Sequence, residues 1–550
     1  MKPQSETVIE YHQKTKHYPG RYARGPGRLD WENEPDPFRR YEGAERFGLP
    51  LLKEDPAADH YDLYARKRNQ IQAFSASSVG AFLELSMGLS AWKSYGGSSW
   101  ALRMNPSSGN LHPTEAYLIL PPIRGLPGGI FHYHPYHHAL EQRAVLEEGR
   151  GLGPLGLVPW ETIKGHFKAD GFFVALSSIC WREAWKYGER AFRYCQQDIG
   201  HATACMSFSA NLMGWKLTYL NAASDEQVSI LLGFDRTRWP RSEPERPGPI
   251  FFVHANTETE IPKDIPQKTI EHFKILNFAG VPNTLSRGHM PWHVIDEVAS
   301  ATEKPATPAE NFTYEDREYV EKDATSIKAA AIIRQRRSAL AFDRKTGCAK
   351  EELFAMLDKC IPRSRCAPFD AALGEISVHL LLFIHRVKGL TPGLYFLLRK
   401  AEDLEEIKRS CNPGLRWERV GEAPEGLLLY LLDKGDFTRR AVLAGCEQEI
   451  AGDGVFSAAM IGRFSDLIEH EPWRYRLSHW EAGMIGQVLY LEAEAHGLRG
   501  TGMGCFFDDV THEVLGITGD KWQDIYHFAM GKPLEDKRLA TQPPYHHLKR

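Results

Sequence analysis

Two stretches of the chain decide its fold: DIGHATACMSFSANLMG at residues 198–214 and EAGMIGQVLYLEAEAHG at residues 481–497. In both, 14 positions separate the paired glycines, Gly200 from Gly214 and Gly483 from Gly497. The apolar residues of the second stretch recur at helical spacing. We therefore predict a buried helix that ends at a glycine cap.

Two further segments recur in the same order. LPGGIFHY at 126–133 and LTPGLYFL at 390–397 each follow an apolar run, which predicts a strand, a turn and a strand. Trp185-Lys186-Tyr187 and Trp473-Arg474-Tyr475 stand shortly before the two helical stretches. Three matches in one order indicate an internal repeat, and a repeat of this size implies a fused pseudo-dimer.

Composition shifts divide the chain around the repeat. Residues 1–60 carry no sustained period and are interpreted as an arm packed on the body. The stretch 257–325 is rich in proline and charge, which is typical of a linker. One unit is thus expected at 61–256 and a second at 326–550.

The overall composition excludes several classes of protein. The chain has 550 residues, 42% of them hydrophobic, with 67 Lys and Arg against 71 Asp and Glu, so a disordered chain and a nucleic-acid binder are disfavoured. Its opening is polar and its apolar runs are short, which predicts neither a secretory signal nor a membrane span. Nine cysteines without a C-x-x-C pair favour a reducing, cytoplasmic compartment.

Four histidines invite a metal interpretation, at positions 132, 134, 137 and 138 of GIFHYHPYHHAL. No neighbouring acidic or cysteine residue completes a zinc ligand set. We therefore predict no metal site.

Two polar segments carry the candidate chemistry. In LRMNPSSGNLHPTEAYLIL, Pro106, Ser107, Ser108, Gly109 and Asn110 form a small loop ahead of a strand, suited to close approach by a flat or anionic ligand. A simple turn is the alternative. In IIRQRRSALAF, Arg336, Arg337 and Ser338 suit a phosphate dianion, since charge-assisted hydrogen bonds are strong. The alternative there is a solvated basic turn of a helix.

Together these segments resemble the nitroreductase superfamily, and within it the azoline-dehydrogenase branch of the SagB/ThcOx type. NPSSGNLHPTEAYLI, the RRS segment, KYGERAFRY and YHFAMGKPLEDKRLATQPPY carry the resemblance. It implies an α+β fold: two nitroreductase-like units, each an antiparallel-rich sheet wrapped by helices, fused as an intramolecular pseudo-dimer. It also implies FMN at the interface, with the arginine–serine segment from one unit and the Pro-Ser-Ser-Gly-Asn loop from the other.

The resemblance assigns roles to further residues. Lys532 and Arg538, with Lys537 as a weaker candidate, would accompany Arg336, Arg337 and Ser338 at the phosphate. Gly502, Met503 and Gly504 of the loop GTGMGCFF would lie at the flavin N5 edge. Lys186 and Tyr187 would be catalytic, because azoline oxidation needs a base as hydride leaves. These assignments follow from the resemblance alone, and a surface lysine beside a core tyrosine is the alternative for Lys186 and Tyr187.

One position departs from the family pattern. Family members commonly carry a basic residue two positions after the serine, near the flavin N1–C2=O, and here that residue is Leu340. Reduced flavin builds negative charge there, so a missing cation should make reduction harder. Arg103 and Arg344 are the candidate substitutes.

The other composite site has lost its ligands in the sequence. Aligned on the strand–turn–strand, Ala371 and Ala372 replace the two loop serines and Gly374 replaces the asparagine. Gln70 stands where the second unit has Ser338. We therefore expect one FMN per chain.

The expected function is an FMN-dependent, azoline-dehydrogenase-like oxidoreductase acting on a small-molecule or peptide substrate. One alternative is an NAD(P)H-dependent reductase of nitroaromatics or quinones, which would not need Lys186 and Tyr187. Another is a degenerate scaffold that binds a peptide without turnover. Either a monomeric pseudo-dimer or a homo-oligomer is compatible with the sequence, and neither nucleic acid nor a membrane is an expected partner.

Overall fold

The computed structural model describes residues 2–65, 69–146, 159–255, 260–317, 319 and 327–548. Its strands are β1 (Tyr41–Glu42), β2 (Glu45–Gly48), β3 (Leu89–Tyr95), β4 (Ser98–Arg103), β5 (Thr114–Leu120), β6 (Gly129–His134), β7 (Ala139–Val145), β8 (Gly171–Ser178), β9 (Trp215–Tyr219), β10 (Arg246–Ala255), β11 (Val281–Pro282), β12 (Cys348–Ala349), β13 (Val378–Ile384), β14 (Val387–Lys388), β15 (Gly393–Leu398), β16 (Glu418–Arg419), β17 (Leu428–Lys434), β18 (Phe456–Arg463), β19 (Arg499–Met503), β20 (Trp522–Gly531) and β21 (Ala540–Gln542).

The helices are α1 (Gln4–Lys14), α2 (Ala76–Ser86), α3 (Pro159–Phe167), α4 (Cys180–Tyr187), α5 (Ala191–Leu212), α6 (Asp225–Leu232), α7 (Gln267–Lys274), α8 (His293–Ala301), α9 (Ala329–Gln335), α10 (Lys350–Asp358), α11 (Leu404–Ser410), α12 (Thr438–Ala444), α13 (Ile450–Asp453), α14 (Ser465–His470), α15 (Arg474–Ala495) and α16 (Asp508–Leu515). None of them, within the described part of the chain, has the length and apolar composition that a membrane crossing requires.

Two antiparallel sheets of similar topology organise the described residues, and they agree in six of their seven strands: the edge strand β2 comes from the arm, whereas β16 lies between β15 and β17 in the chain. The first has the strand order β2-β7-β6-β5-β8-β10-β9 and the second the order β16-β17-β15-β13-β18-β20-β19. Their registers also agree, since Tyr117 pairs with His132 in the first sheet and Leu381 with Phe396 in the second. The predicted α+β repeat is thereby confirmed. Below, the first half means residues up to 255 and the second half residues from 329 onward.

Helices α5 and α15 join the two halves and cross at the glycines that marked the repeat. A Cβ added to Gly200 would lie 2.1 Å from the carbonyl oxygen of Trp480. One added to Gly483 would lie 2.2 Å from the carbonyl oxygen of Gln197. Only glycine allows backbones this close, so the crossing fixes how the halves meet. Both helices are buried along most of their length, as predicted.

The two ends of the chain cross to the opposite half. Strand β21, near the C-terminal end, pairs with β3 of the first half, and the Tyr545 hydroxyl accepts a hydrogen bond from the Leu89 amide at 2.9 Å. Helix α1 of the arm packs on α14 of the second half. The stretch predicted as a linker contains two helices, α7 and α8, and α7 packs on α6 of the first half.

His132, one of the four clustered histidines, lies between two carboxylates. Its ring nitrogens stand 3.2 Å from Glu115 and 3.1 Å from Glu141. Burial alone would lower the pKa of His132, but the hydrogen bonds and charges of the two glutamates raise it to about 9. This histidine therefore acts as the cationic centre of a buried ion-pair cluster.

Candidate functional site

A cavity of about 480 Å³ opens between the two halves. The first half contributes Pro106–Asn110 and Tyr187 to its lining, and the second half contributes Arg336–Ser338 and Gly502–Gly504. Residues more than 200 positions apart thus face one space, as a site at a pseudo-dimer interface requires.

The Pro106–Asn110 loop is held open by its own side chains. Gly109 and Asn110 both have left-handed backbone, with φ of 58° and 62°. The Ser107 hydroxyl accepts a hydrogen bond from the His112 amide at 2.8 Å. The Ser108 hydroxyl donates to Asp198 at 3.1 Å. The two serine hydroxyls thus stabilise the loop, whose residues line the cavity.

Asp198 lies at the base of this loop and was missed by sequence reasoning. It also accepts the Ser108 backbone N–H, at 3.2 Å. Burial raises the pKa of Asp198 to about 7, despite the serine hydrogen bonds that lower it. Near neutral pH this carboxyl can therefore hold or release a proton. Only its position two residues before Gly200 could have marked it.

The arginine–serine segment follows a helix end. Helix α9 stops at Gln335, and Arg336 then donates from Nη2 to the carbonyl oxygen of Arg103 at 3.2 Å. Its guanidinium lies 5.1 Å from the ring centroid of Tyr490. The Tyr490 hydroxyl is 2.8 Å from the Ser338 hydroxyl. Arg336 is 4% exposed, so its charge is held inside the protein rather than solvated, unlike the basic helix turn of the alternative interpretation.

Further cations crowd this end of the cavity. Lys93 and Arg499 also line it, and neither had a sequence signal. Burial and the charge of Arg336 lower the pKa of Arg337 to about 10. Burial and the charge of Arg337 lower the pKa of Lys93 as well. Arg499 pairs with Glu494 at 3.3 Å and with Glu535 at 2.7 Å. The mutual repulsion of Arg337 with Arg336 and Lys93 at this cavity wall suits an anionic ligand.

Two predicted phosphate ligands lie outside the cavity lining. The Lys532 ammonium donates to the carbonyl oxygen of Gly497 at 2.9 Å. The Arg538 side chain is 71% exposed and pairs with Asp536 at 2.7 Å. In this structure the positive end of the cavity is built from other residues, because the last segment turns toward β3 instead.

The glycine-rich segment at 500–507 differs from its predicted form. We expected a loop, yet Gly500, Gly502 and Met503 lie in the edge strand β19. A Cβ on Gly502 would lie 2.0 Å from the Tyr526 hydroxyl, so these glycines serve close cross-strand packing. The Gly502 N–H donates to the Tyr490 hydroxyl at 2.8 Å. Gly502–Gly504 line the cavity, and their place at the flavin N5 edge stays a prediction.

Lys186 and Tyr187 end helix α4 beside the serine loop. Tyr187 lines the cavity, and its hydroxyl would lie 2.6 Å from a Cβ on Gly109. The Lys186 ammonium would lie 3.2 Å from the same point, although Lys186 itself is not part of the cavity lining. Burial, and then Glu183, raises the pKa of Tyr187 well above its usual value.

Glu183 is a buried carboxyl on the same helix. Neither of its oxygens has a hydrogen-bond partner among the described residues. Burial, and then the neighbouring Asp198, raises its pKa, while Lys186 lowers it. Two carboxyls with raised pKa values, Glu183 and Asp198, thus lie near the Lys186–Tyr187 pair, and both favour the protonated form.

The departure at Leu340 is visible in the structure. Leu340 lines the cavity and is 72% exposed, so no cation stands at that position. Arg103 lines the cavity, but its guanidinium donates to the carbonyl oxygen of Thr114 at 3.3 Å. Arg344 pairs with Asp453 at 2.9 Å outside the lining. Of the two candidate substitutes, only Arg103 reaches the cavity.

The equivalent place in the second half is nearly filled. A cavity of about 40 Å³ lies beside the counterpart loop, lined by second-half residues such as Leu373 and Glu481 and by no described residue of the first half. The turn Phe369–Ala371 packs directly on strand β9, and the Ser207 hydroxyl donates to Asp370 at 3.3 Å. The turn thus takes up the space beside β9 that corresponds to the open cavity beside β19 in the first site.

Comparison with known proteins supports this architecture. A sequence profile of the nitroreductase family matches residues 333–532. This segment has a nitroreductase-family sequence. A candidate nitroreductase of Methanocaldococcus jannaschii is 25% identical over 128 residues, which is 23% of this chain. The chain spans 62% of the length of that relative.

Solved structures extend the likeness to the whole fold. A candidate nitroreductase of Anabaena variabilis aligns over 96% of this chain and 99% of its own, at 21% identity and a TM-score of 0.68. Another, from Exiguobacterium sibiricum and in complex with FMN, covers 41% of this chain and 92% of its own, at 15% identity and a TM-score of 0.22. The first likeness shows that both halves together share the fold of that protein, and the second is too weak to support an argument.

Proposed function

We propose that this chain is an FMN-dependent oxidoreductase of the azoline-dehydrogenase-like type, with one flavin site between its two units, at 61–256 and 326–550. The observation that carries the proposal is the joint lining of one cavity by Pro106–Asn110 and Arg336–Ser338. Each segment is weak evidence alone, since both have ordinary structural alternatives. Their convergence from distant parts of the chain is what a composite cofactor site needs.

The polar atoms of the cavity fit such a cofactor. Nε of Arg336, both amide atoms of Asn105 and both ring nitrogens of His112 have no hydrogen-bond partner among the described residues. Unsatisfied buried polar atoms are unfavourable unless a ligand or water meets them. FMN offers a phosphate dianion, ribityl hydroxyls and a ring edge with donors and acceptors. The residues present therefore fit FMN.

Arg336, Arg337 and Ser338 would hold the phosphate, with Lys93 and Arg499 adding positive charge. Pro106, Ser107, Ser108 and Asn110 would line the isoalloxazine, and Gly502, Met503 and Gly504 would flank it from the other half. Lys532 and Arg538 would contribute only by leaving Gly497 and Asp536, their present partners. When bound, the flavin supplies two-electron chemistry by accepting hydride.

Lys186 and Tyr187 would handle the proton that hydride removal leaves on the substrate. Because burial and Glu183 raise the pKa of Tyr187, its hydroxyl would stay a hydrogen-bond donor, and the neutral amine of Lys186 would be the base of the pair. The Ser108 hydroxyl donates to Asp198 and would relay the proton to that carboxyl, which would then hold it. Lys186 and Tyr187 do not touch the phosphate end, so mutations should separate proton transfer from cofactor binding.

The first experiment is purification of the full chain. We expect yellow protein with one FMN per chain by absorbance and by release of FMN on denaturation. Protein that stays colourless after incubation with FMN contradicts the proposal and favours a binding scaffold. Anaerobic mixing with NADH or NADPH distinguishes the remaining alternative, because rapid bleaching would indicate a reductase.

A further inference from the structure

A cluster of two cysteines and a histidine borders the cavity and has no part in the function proposed above. The Sγ atoms of Cys446 and Cys505 are 2.8 Å apart. Nδ1 of His17 lies 3.5 Å from Cys505 and 3.8 Å from Cys446. The three residues come from the arm, the loop after α12 and the segment after β19. Their spacing in the sequence did not predict that they would lie together.

Local structure holds the two thiols together. Cys446 and the next residue, Glu447, both have left-handed backbone, with φ of 55° and 59°. Such conformations are unfavourable for residues other than glycine and are commonly retained at functional sites. The Gln448 side chain donates to the carbonyl oxygens of Gly445 at 2.9 Å and Cys505 at 3.0 Å. This amide ties the loop that carries Cys446 to the segment that carries Cys505.

The surroundings favour a thiolate at Cys505. A hydrogen bond shared with Cys446, followed by His17 and the charge of Arg190, lowers the pKa of Cys505 to about 5. The same shared hydrogen bond raises the pKa of Cys446. One thiolate beside one thiol is the ionisation state from which thiol–disulfide chemistry proceeds.

The distance argues for a disulfide over a metal site. Two thiolates bound to a tetrahedral zinc ion at about 2.3 Å stand roughly 3.8 Å apart. The observed 2.8 Å is well below that separation, and it needs only a small approach to reach the length of about 2.05 Å of an S–S bond. Cys505 also lines the cavity, directly after Gly504.

We propose that Cys446 and Cys505 are a redox-active pair that closes to a disulfide and exchanges two electrons with the flavin of the adjoining cavity. This step rests on the proposed function. Starting from the Cys505 thiolate and the Cys446 thiol, oxidation of the pair breaks one S–H bond, forms one S–S bond and releases two electrons and one proton. Reduction of one oxidised flavin to its anionic reduced form takes up the same two electrons and one proton, so one pair and one flavin balance without another reactant.

The test combines disulfide mapping with a reductive titration of the FMN-loaded full chain. Wild-type protein is oxidised with diamide, digested without reduction and analysed by mass spectrometry. We expect one peptide pair joined through Cys446 and Cys505. The oxidised protein is then titrated anaerobically with dithionite, and it should consume two more electrons per chain than Cys446→Ser or Cys505→Ser. Cys411→Ser, a buried cysteine outside the cavity lining, should titrate like wild type.

The possible failures are distinct. Absence of the Cys446–Cys505 linkage after diamide overturns the pair, and no variant is needed for that result. A linkage with equal electron uptake in wild type and both variants overturns the exchange with the flavin. Failure to bind FMN removes the proposed function and the exchange, while the mapping still decides the disulfide. Zinc that copurifies at one per chain and is lost in Cys446→Ser would replace the pair with a metal site.

Discussion

Nη2 of Arg336 donates a hydrogen bond to the backbone carbonyl oxygen of Arg103 at 3.2 Å, which joins the second half of the chain to the first at the floor of the cavity. The guanidinium is thus positioned by the half that lacks its own phosphate ligands. Its Nε has no partner among the described residues. The arrangement leaves one donor of a buried cation free for a ligand, and it exists only once the two halves have assembled.

Arg336→Ala should weaken FMN binding about 10- to 100-fold, since a charge-assisted hydrogen bond contributes about 1.5–3 kcal/mol. The measurement is titration of apoprotein with FMN, followed by flavin fluorescence. Arg538→Ala should have a smaller effect, because that side chain is exposed and paired with Asp536. Arg440→Ala, a surface change on α12, is the control. An unchanged affinity in Arg336→Ala would refute the phosphate assignment.

Lys186→Ala should abolish substrate oxidation while FMN stays bound, because the ammonium lies beside Gly109 and Tyr187 and not at the phosphate end. Single-turnover flavin reduction by substrate measures the first effect, and the flavin absorbance of the purified variant measures the second. Arg474→Ala changes the counterpart in the other half and should leave both unaltered. Full turnover by the Lys186 variant would favour the NAD(P)H-dependent reductase.

Gly109→Ala should lower both stability and FMN occupancy. The residue has φ of 58°, and an added Cβ would lie 2.6 Å from the Tyr187 hydroxyl. We expect about 1–2 kcal/mol less free energy of unfolding from the backbone alone. The control is Gly374→Ala in the equivalent loop, where a Cβ meets nothing closer than 3.9 Å. Urea unfolding of both variants measures the effect. Equal losses of unfolding free energy in Gly109→Ala and Gly374→Ala would contradict a special role for the backbone of Gly109.

The sequence predicted features that depend on periodicity and repetition. The equal spacing of Gly200 from Gly214 and of Gly483 from Gly497 marked two helices whose backbones touch. The alignment of the two strand–turn–strand segments agrees with the strand pairing observed in the two sheets. It also predicted that the serine loop and the arginine–serine segment meet, because a fused dimer must build its site from both units. The same alignment predicted that the second composite site has lost its ligands, since Ala371 and Ala372 carry no polar side chain, but it did not predict that the turn there packs directly on β9.

Features that depend on long-range packing escaped prediction. Asp198 and Tyr490 lie on the buried helices α5 and α15, and the sequence alone does not indicate that these two residues line the cavity. Cys446 and Cys505 are 59 positions apart and meet only because two loops pack together. The glycine segment in β19 looked like a loop because glycine is common in turns, whereas here it makes room for Tyr526.

Asp198→Asn should change how stability depends on pH. The pKa of Asp198 is about 7 in the folded apoprotein against an ordinary value of 3.8, so the folded state binds the proton more tightly than the unfolded state. The stabilisation is therefore fully present below pH 4 and is lost as the pH rises through 7. Between pH 5 and pH 8, wild type should lose about 3 kcal/mol of unfolding free energy through this group, as an order of magnitude.

The asparagine variant keeps an oxygen that can accept the Ser108 N–H but cannot ionise, so its unfolding free energy should lack this decline. Urea unfolding of apoprotein at several pH values measures the difference between the two slopes. Asp343→Asn is the control, because hydrogen bonds from Thr346 and Lys345 lower the pKa of that exposed carboxyl to about 2, below the tested range. Identical slopes for wild type and Asp198→Asn would show that Asp198 is ionised throughout and cannot hold the proton assigned to it.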